Sequence, residues 1–427
     1  MTYLAVEAVR NATPPTWDWV PLRRIAQLRR TPNVDGTATL LSLSSERGLE
    51  PRPEDGGRQL PSDALIPSYW LVETDDLVIN PMWAIGGGVG VSRISGAVSP
   101  AYRVYQLSKA IWPRFLDYYL RSRPLLVQYG LVVRGITTFD RSVTREDFEG
   151  LPVPVPSVSV QRAIADYLDA ETARIDALIQ KKQLLVVALD ERFSADVFRS
   201  IAQGVRRHET WKKSGLSWIA AIPAEWGTPT VSANFALQLG KMLNHEATSG
   251  PDQHPYLRNA NVQWDRIDID DLALMHFDQD DQRRCKLRPG DLLVCEGGEV
   301  GRSAIWDGRL SPCYYQKALH RVRPHKAASV RYLLYCLRAA ANLSVFAVEG
   351  NLSTIVHLTE EQLRVQRFPW PPSDEQDEIV RHLDQETSRM EDARDLITGQ
   401  LALLAEHRQA LITAAVTGEL AIPGVAA

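Results

Sequence analysis

The stretch LPVPVPSVSVQRAIADYLDAE at residues 151–171 returns in altered form as RFPWPPSDEQDEIVRHLDQE at residues 367–386. A shift of 215 residues superposes identical positions, among them Pro154/Pro369, Pro156/Pro371, Gln161/Gln376, Ile164/Ile379, Leu168/Leu383 and Asp169/Asp384. Because the repeat period is half the length of the chain, the repeat indicates how the whole chain is organised. It predicts two copies of one structural unit.

Each copy opens with a proline-rich strap and continues as a long helix. Proline fixes φ and favours an extended residue before it, so the prolines of residues 152–156 predict an extended segment. Ser157 or Ser159 can cap the first helix, and Ser373 or Asp374 the second. About 40 residues at 1.5 Å each give a rod of roughly 60 Å, which suggests two helices packed as a coiled coil. The apolar residues at helical spacing are Ile164, Leu168, Ile175, Leu178, Leu185 and Leu189, then Ile379, Leu383, Leu396, Leu403, Leu404 and Leu411.

Length and composition indicate a folded protein of two to four domains. The chain has 427 residues, of which 44% are hydrophobic and 23% charged. The four cysteines follow no metal-ligand spacing, which favours free thiols in a reducing compartment over zinc or disulfides. There is no basic segment leading into an apolar one at the N-terminus, and no apolar run approaches a membrane span. We therefore expect a cytoplasmic protein that does not enter a membrane.

The net charge is −4, but the charged residues are distributed unevenly along the chain. Residues 283–338 contain 12 Lys or Arg against 4 Asp or Glu. Residues 374–395 contain 9 acidic residues against 3 arginines. The first segment suits contact with phosphate, whereas the second suits solvent or a protein partner.

Strand and helix signals alternate irregularly between the two repeats, which predicts a mixed α/β (α+β) globule in each half. Pro289–Leu293 corresponds to Thr74–Val78, and Gly297–Gly301 corresponds to the glycine run Gly86–Gly90. We interpret Lys212–Trp226 as a linker into the second globule. The expected domains are a first globule, a first helical region, a second globule and a second helical region, at residues 1–151, 152–205, 206–367 and 368–427.

These motifs resemble the specificity subunits of type I restriction-modification systems. The resemblance rests on PPSDEQDEIVRHLDQET, on the looser VPSVSVQRAIADYLDAET, on KKSGLSWIAAIPAEW in mid-chain and on the C-terminal AVTGEL. It covers essentially the whole chain. One departure is Ser159-Val160-Gln161, where the family usually has Glu-Gln before the helix.

The resemblance implies a non-catalytic subunit that binds double-stranded DNA. Two target-recognition globules, separated by two long antiparallel helices and related by an internal pseudo-twofold, would each recognise half of a split, asymmetric sequence. The helices would bind two methyltransferase subunits and, through them, restriction subunits. No cofactor is implied for this chain, because methyl transfer from S-adenosylmethionine and ATP-driven cleavage belong to the partners.

The alternative is an enzyme, either a methyltransferase or a nuclease with its own recognition domains. A bivalent scaffold for two proteins, with no DNA role, is a third possibility. Asn80-Pro81-Met82-Trp83 is superficially similar to the Asn-Pro-Pro-aromatic motif of adenine methyltransferases, but Met82 replaces a proline and a turn is favoured. Gly86–Gly90 is not a dinucleotide loop; it suits tight strand connections or close approach of DNA. His320 and His325 are interpreted as core or solvated residues.

Candidate DNA contacts are basic and amide side chains. Arginine can neutralise phosphate or bind guanine bidentately. Asn259 and Asn261 can pair with adenine or simply cap a turn. The candidates are Arg23, Arg24, Arg47 and Arg93 in the first globule, and Lys241, Arg258, Asn259, Asn261, Arg283, Arg284, Lys286, Arg302, Lys317, Arg321 and Arg323 in the second.

Overall fold

The computed structural model describes residues 4–44, 47–53, 64–133, 142–243, 250–325, 328–348 and 357–422. The chain forms two compact units. Unit 1 combines Met1–Gln183 with Thr398–Ala427, and unit 2 is the continuous stretch Leu184–Ile397. Each long helix therefore contributes one part to each unit.

Unit 1 is a mixed α/β globule. Its central sheet is antiparallel with the order β2-β9-β6-β7, accompanied by the pairs β1–β10, β3–β4 and β5–β8. The strands are β1 (Asp18–Pro21), β2 (Ala26–Arg29), β3 (Leu41–Ser44), β4 (Gly48–Pro51), β5 (Trp70–Val72), β6 (Leu77–Ile79), β7 (Val89–Val91), β8 (Gly96–Val98), β9 (Arg103–Leu107) and β10 (Pro152–Val155). The short helices are α1 (Leu4–Ala12), α2 (Pro113–Leu120), α3 (Arg123–Val132) and α4 (Arg145–Glu149).

Unit 2 has the same plan. Its central sheet is antiparallel with the order β13-β21-β18-β19, and a smaller sheet has the order β17-β14-β20. The strands are β11 (Trp211–Lys213), β12 (Ala221–Pro223), β13 (Phe235–Leu239), β14 (Gln253–Leu257), β15 (Val262–Gln263), β16 (Arg266–Ile267), β17 (Ala273–His276), β18 (Leu292–Cys295), β19 (Ser303–Ile305), β20 (Tyr314–Tyr315) and β21 (Leu319–Pro324). The short helices are α6 (Val231–Asn234), α7 (Gln279–Cys285), α8 (Val330–Asn342), α9 (Val345–Val348) and α10 (Glu360–Val365).

The expected duplication is confirmed at the level of the sheets. Strand for strand, β2, β9, β6 and β7 have the same order as β13, β21, β18 and β19. Leu77 opens β6 and Leu292 opens β18, which preserves the 215-residue offset seen in the sequence. The mixed α+β class is confirmed as well.

The two long helices are confirmed, as α5 (Val158–Gln203) and the last helix, α11 (Ser373–Val416), of 46 and 44 residues. Gln161 fixes the first helix start, because its side chain donates to Pro156 O at 2.8 Å and accepts from Trp112 N at 2.6 Å. Gln376 likewise donates to Pro371 O at 2.9 Å. Among the described residues no helix is long and apolar enough to cross a bilayer.

The long helices pair antiparallel within each unit. In unit 1, Asp176 bonds to Arg408 at 2.9 Å and Lys182 bonds to Gln400. In unit 2, Asp196 contacts His382 at 2.9 Å, and Asp190 lies 3.6 Å from Arg394. In these pairs the residue number on α11 falls as the number on α5 rises, as expected for antiparallel helices. The polar pairs therefore define the register between the two helices.

Part of the expected apolar seam is wrong. Ile164 and Leu168 are buried in unit 1, as expected for residues facing a core. Leu178 and Leu403, however, are 47% and 65% exposed in the same unit. In unit 2 the same holds for Leu185 and Leu396. Helical spacing places such residues on a face, but the structure leaves that face uncovered.

The linker interpretation of Lys212–Trp226 is also wrong. β11 and β12 form an antiparallel hairpin, and Trp226 beyond it is fully buried. Trp226 Nε1 donates to Glu375 Oε2 at 3.0 Å, and His208 Nε2 lies 2.7 Å from Glu375 Oε1. The segment is therefore part of the folded core around the start of α11.

Candidate nucleic-acid interface

Three basic residues of unit 2 extend into solvent beside the central sheet. Arg283 lies in the last turn of α7, and Lys286 follows that helix directly. Lys317 lies in the turn between β20 and β21, where its backbone N–H donates to Lys241 O at 2.6 Å. All three side chains are exposed, and among the described residues Arg283 alone of the three forms an ion pair, with Asp280. They are available to an external anion.

Two further candidates are held by one carboxylate. Lys241 and Arg284 both bind Asp281, and the Arg284 contact measures 3.0 Å. Burial opposes ionisation of Asp281, but hydrogen bonds from the two cations outweigh it and keep its pKa below the usual value. Arg321 extends over the same place and donates to Arg284 O at 2.8 Å. Much of this local positive charge is neutralised.

Arg323 is bound to the interior of the sheet. It donates two hydrogen bonds of 2.6 Å to Asp291, which is almost completely buried. Asp291 also accepts from Arg288 N at 2.8 Å. Removing Arg323 would leave a buried carboxylate without its cation, a change that destabilises proteins strongly. The geometry therefore gives Arg323 a structural role.

Asn261 serves as a turn cap, one of the two alternatives left open by the sequence. Its Oδ1 accepts from Arg258 N at 2.9 Å, and its Nδ2 donates to Asp271 O at 3.1 Å. Only 4% of the residue is exposed. Arg258 itself pairs with Asp271 at 2.7 Å. Both ends of the Asn261 amide are thus used within the turn.

Asn259 and Arg302 bind one another at the neighbouring glycine loop. Asn259 Nδ2 donates to Gly297 O at 2.7 Å, while Arg302 donates to Asn259 O at 3.1 Å. Glu299 lies 3.5 Å from the Arg302 guanidinium. These side chains fix the shape of the loop that follows β18.

The candidates of unit 1 are more exposed. Arg23 and Arg24 lie on a short 3-10 turn after β1, and both are exposed. Arg47 forms an exposed ion pair of 3.0 Å with Glu50. Arg93 is exposed in the turn between β7 and β8, and it has no ion-pair partner in the described part of the chain.

Arg47 and Arg93 border a cavity of about 1160 Å³ within unit 1. Its wall includes the backbone of Gly48, Gly86 and Gly87. Three other arginines line it, each paired with an aspartate of the same wall; these are Arg114 with Asp169, Arg121 with Asp117, and Arg408 with Asp176. Arg47 pairs with Glu50, so among the described residues Arg93 alone of these five arginines has no ion-pair partner. Arg47 and Arg93 are nevertheless the two whose exposure leaves them accessible to a ligand.

Residues 234–395, which span most of the described interface of unit 2, match the family model of the type I restriction modification DNA specificity domain. The chain thus contains a type I restriction-modification DNA specificity domain. It is 24% identical over 328 residues to the type I restriction enzyme EcoKI specificity subunit of Escherichia coli strain K12, covering 74% of this chain and 68% of that protein.

A second curated relative, the EcoBI specificity subunit of Escherichia coli, is 23% identical over 278 residues. That match covers 63% of this chain and 58% of the relative. A chain in a solved structure concerned with complex assembly and conformational transition of the type I R-M system has the same fold. Its TM-score is 0.74 at 16% identity, over 96% of this chain and 99% of that one.

The remaining sequence motifs of this chain are structural. Asn80 begins a turn, which confirms the turn predicted for Asn80–Trp83; Trp83 N donates to Asn80 O at 3.0 Å. Cys285, Cys295, Cys313 and Cys336 are free and buried, as expected. His320 is a core residue whose Nε2 lies 2.8 Å from Leu358 O, and burial lowers its pKa. His325 is exposed.

Two buried acids have matching roles in the two units, which the sequence patterns did not predict. Asp76 binds Arg29 in unit 1, as Asp291 binds Arg323 in unit 2, and each acid directly precedes a central strand. Each also accepts a backbone N–H from three residues earlier, at 2.7 and 2.8 Å. The signal was present, because Asp-Leu stands at the head of both strands at the 215-residue offset.

Proposed function

We propose that this chain is the DNA sequence-recognition subunit of a type I restriction-modification complex. Each globule would recognise one half of a bipartite, asymmetric target. The observation that carries the proposal is the repeated sheet order β2-β9-β6-β7 and β13-β21-β18-β19, which presents two different surfaces on one framework. Within the proposal, residues 1–151 and 206–367 are the recognition domains, and residues 152–205 and 368–427 are the helical regions.

The proposed DNA contacts are the exposed cations rather than those bound internally. In unit 2 these are Arg283, Lys286 and Lys317. Arg321 is half-buried and bonded to Arg284 O, so it is a weaker candidate. In unit 1 they are Arg23, Arg24, Arg47 and Arg93. Contacts to phosphate fix the orientation of a protein on the duplex, and base edges supply the sequence information. We assign the phosphate contacts to these side chains and leave the bases unassigned.

The uncovered leucines of the long helices suit protein partners. Leu178 and Leu403 are exposed in unit 1, and Leu184, Leu185 and Leu396 in unit 2. Contiguous exposed apolar patches mark interaction surfaces, and these leucines all lie on the two paired long helices. We propose that two methyltransferase subunits cover them and link restriction subunits to the complex. A subunit with this role works beside the DNA, in the cytoplasm.

We propose further that the chain has no catalytic activity of its own, so that S-adenosylmethionine binds the partner subunits. A stand-alone methyltransferase or nuclease is the alternative, and it is not favoured by the family. Incubation of the purified chain with labelled S-adenosylmethionine, followed by mass spectrometry, distinguishes the two. Methyl transfer by the chain alone would contradict the proposal.

Methylome sequencing of cells with and without this gene tests the recognition role. We expect a methylated motif of two short half-sites separated by a fixed spacer, present only when the gene is intact. An identical methylome in both strains would refute the proposal. Exchange of unit 2 residues 206–367 with those of a relative should change one half-site and leave the other unchanged.

A further inference from the structure

A rigid loop connects β6 and β7 in unit 1. Asn80 N donates to Gly88 O at 2.7 Å, and Gly88 N donates back to Trp83 O at 3.0 Å. Trp83 N and Gly86 N each bond to a carbonyl of the same loop, both at 3.0 Å. Much of the polar backbone is thus satisfied within the loop, and Val143 N donates to Pro81 O at 3.0 Å from outside it. The loop is therefore held both by its own bonds and by its neighbours, α3 among them.

Three large apolar side chains stand at the tip of this loop. Met82 is 55% exposed, and Trp83 and Ile85 are each 41% exposed. The indole of Trp83 rests on Gly86, since a Cβ at that position would lie 2.4 Å from Trp83 Nε1. Gly86 must therefore be glycine for the indole to keep its place. Exposed apolar residues grouped in one patch mark interaction surfaces, so this cluster is a candidate binding surface.

The surface beside this cluster favours nucleic acid as the occupant. Gly86 and Gly87 line the same cavity as Arg47 and Arg93. An apolar tip thus adjoins a glycine backbone and two accessible arginines. DNA is complementary to this surface, because its stacked bases are apolar and its phosphates are negatively charged. Architectural DNA-binding proteins insert apolar side chains between base steps.

The corresponding loop of unit 2 has different chemistry. It contains Glu296 and Glu299, and at the 215-residue offset Gly297, Gly298 and Val300 stand where unit 1 has Met82, Trp83 and Ile85. Glu299 accepts a hydrogen bond from Trp264 Nε1 and lies near Arg302, so that loop is polar and internally bonded. The apolar tip is therefore a property of unit 1 alone, not a requirement of the duplicated framework.

We propose that Met82, Trp83 and Ile85 form a wedge, hereafter the Trp83 wedge, that enters the DNA at the half-site bound by unit 1 and unstacks one base step. This rests on the proposed function. Arg47 and Arg93 would hold the adjacent phosphates. Because pyrimidine–purine steps unstack most easily, the wedge would add sequence preference at a step that no side chain reads by hydrogen bonds.

The test uses the full chain together with the methyltransferase subunits that co-purify with it. The DNA is a duplex of the motif found by methylome sequencing, with 2-aminopurine placed in turn at each position of both half-sites. The variants are Trp83→Ala, Met82→Ala and Gly86→Ala, the last of which displaces the indole without removing it. Leu274→Ala is the control, because Leu274 is an exposed apolar residue of unit 2.

Methyltransferases flip their target base out of the stack, so a rise at the methylated positions is expected in any case and is set aside. At the other positions we expect the wild-type complex to raise 2-aminopurine fluorescence at one step of the half-site bound by unit 1. Trp83→Ala and Met82→Ala should abolish the rise, and Trp83→Ala should weaken DNA binding by roughly 5- to 100-fold, the range for loss of one base–aromatic stack. Gly86→Ala should also reduce the rise. Leu274→Ala should match wild type in both measurements.

Two results would overturn the wedge while the DNA-recognition role stands. One is a Trp83→Ala complex that binds the motif and raises fluorescence like wild type. The other is a Trp83→Ala chain that loses its methyltransferase subunits, which would make the loop a protein-docking site. Failure of the wild-type complex to bind the motif at all would instead refute the proposed function, and the wedge with it.

Discussion

The phenolic hydroxyl of Tyr335 donates to Oδ1 of Asp384 at 2.7 Å, and Tyr118 makes the same bond to Asp169, also at 2.7 Å. In each unit the bond joins a globule helix to a long helix, and a threonine of the long helix lies within 3.2 Å of the phenol. Burial raises the pKa of Tyr118 to about 12 and that of Tyr335 further. Both phenols therefore remain protonated donors at neutral pH.

Tyr335→Phe should lower the free energy of unfolding of unit 2 by about 1–2 kcal/mol, since it removes a hydrogen bond to a charged group. Urea denaturation followed by tryptophan fluorescence measures this. Combination with Asp384→Asn tests the pair, because the double variant should lose less than the sum of the single ones. Tyr118→Phe is the matched variant of unit 1. Strict additivity would show that the hydrogen bond does not couple the two helices.

Asp76→Asn should change how stability depends on pH. Burial raises the pKa of Asp76 from 3.8 to about 6, although Arg29 and the backbone N–H of Glu73 oppose the rise. Between about pH 4 and 6 the folded state therefore binds more protons than the unfolded one, and wild type loses stability as pH rises through that window. The loss reaches up to about 3 kcal/mol, at 1.36 kcal/mol per pKa unit.

The measurement is the difference in unfolding free energy between wild type and Asp76→Asn at pH 4 and at pH 7. As pH increases, wild type should become less stable relative to Asp76→Asn. Carboxylates whose pKa is lowered, such as Asp281, are common to both proteins and cancel. A difference that is the same at both pH values would contradict the buried, protonatable state of Asp76.

Lys317→Ala should weaken DNA binding similarly for all sequences. If Lys317 neutralises one phosphate, the slope of log K against log salt should become shallower by about 1. Arg323→Ala is the informative comparison, because that side chain binds buried Asp291. It should lower the melting temperature, whereas Lys317→Ala should leave melting unchanged. An unaltered salt slope for Lys317→Ala would place the DNA elsewhere.

Lengthening both long helices by one turn should lengthen the spacer of the DNA target. Four residues inserted after Ala188 and four after Ile397 leave the pairs Asp176–Arg408 and Asp196–His382 on their own sides of the insertions. The added rise is about 6 Å, which corresponds to nearly two base pairs at about 3.4 Å each. Methylome sequencing should show the same half-sites with one or two more base pairs between them. An unchanged spacer would refute a measuring role for the helices.

The duplicated framework could be predicted from the sequence because it depends on residues at fixed offsets, such as Gln161 and Gln376. The role of Lys212–Trp226 could not, since Trp226 is fixed by Glu375, 149 residues away. Counting charges located a basic segment, but a count does not reveal that Arg323 is bound to Asp291. Helical spacing predicts which leucines of the long helices share a face. It does not predict whether another part of the protein covers that face.

The division of the chain into units also affects the order in which they are completed during synthesis. Unit 2 is one continuous stretch of the chain, so no residue from outside that stretch is needed to complete it during synthesis. The core of unit 1 includes Leu168 but also Ile412, Ala415 and Val416 of α11. At about 5–20 residues per second, the roughly 240 residues from Leu168 to Ile412 take about 12–50 s to translate. The globule that is made first is thus the last to be closed, and it exposes part of its core until the final helix arrives.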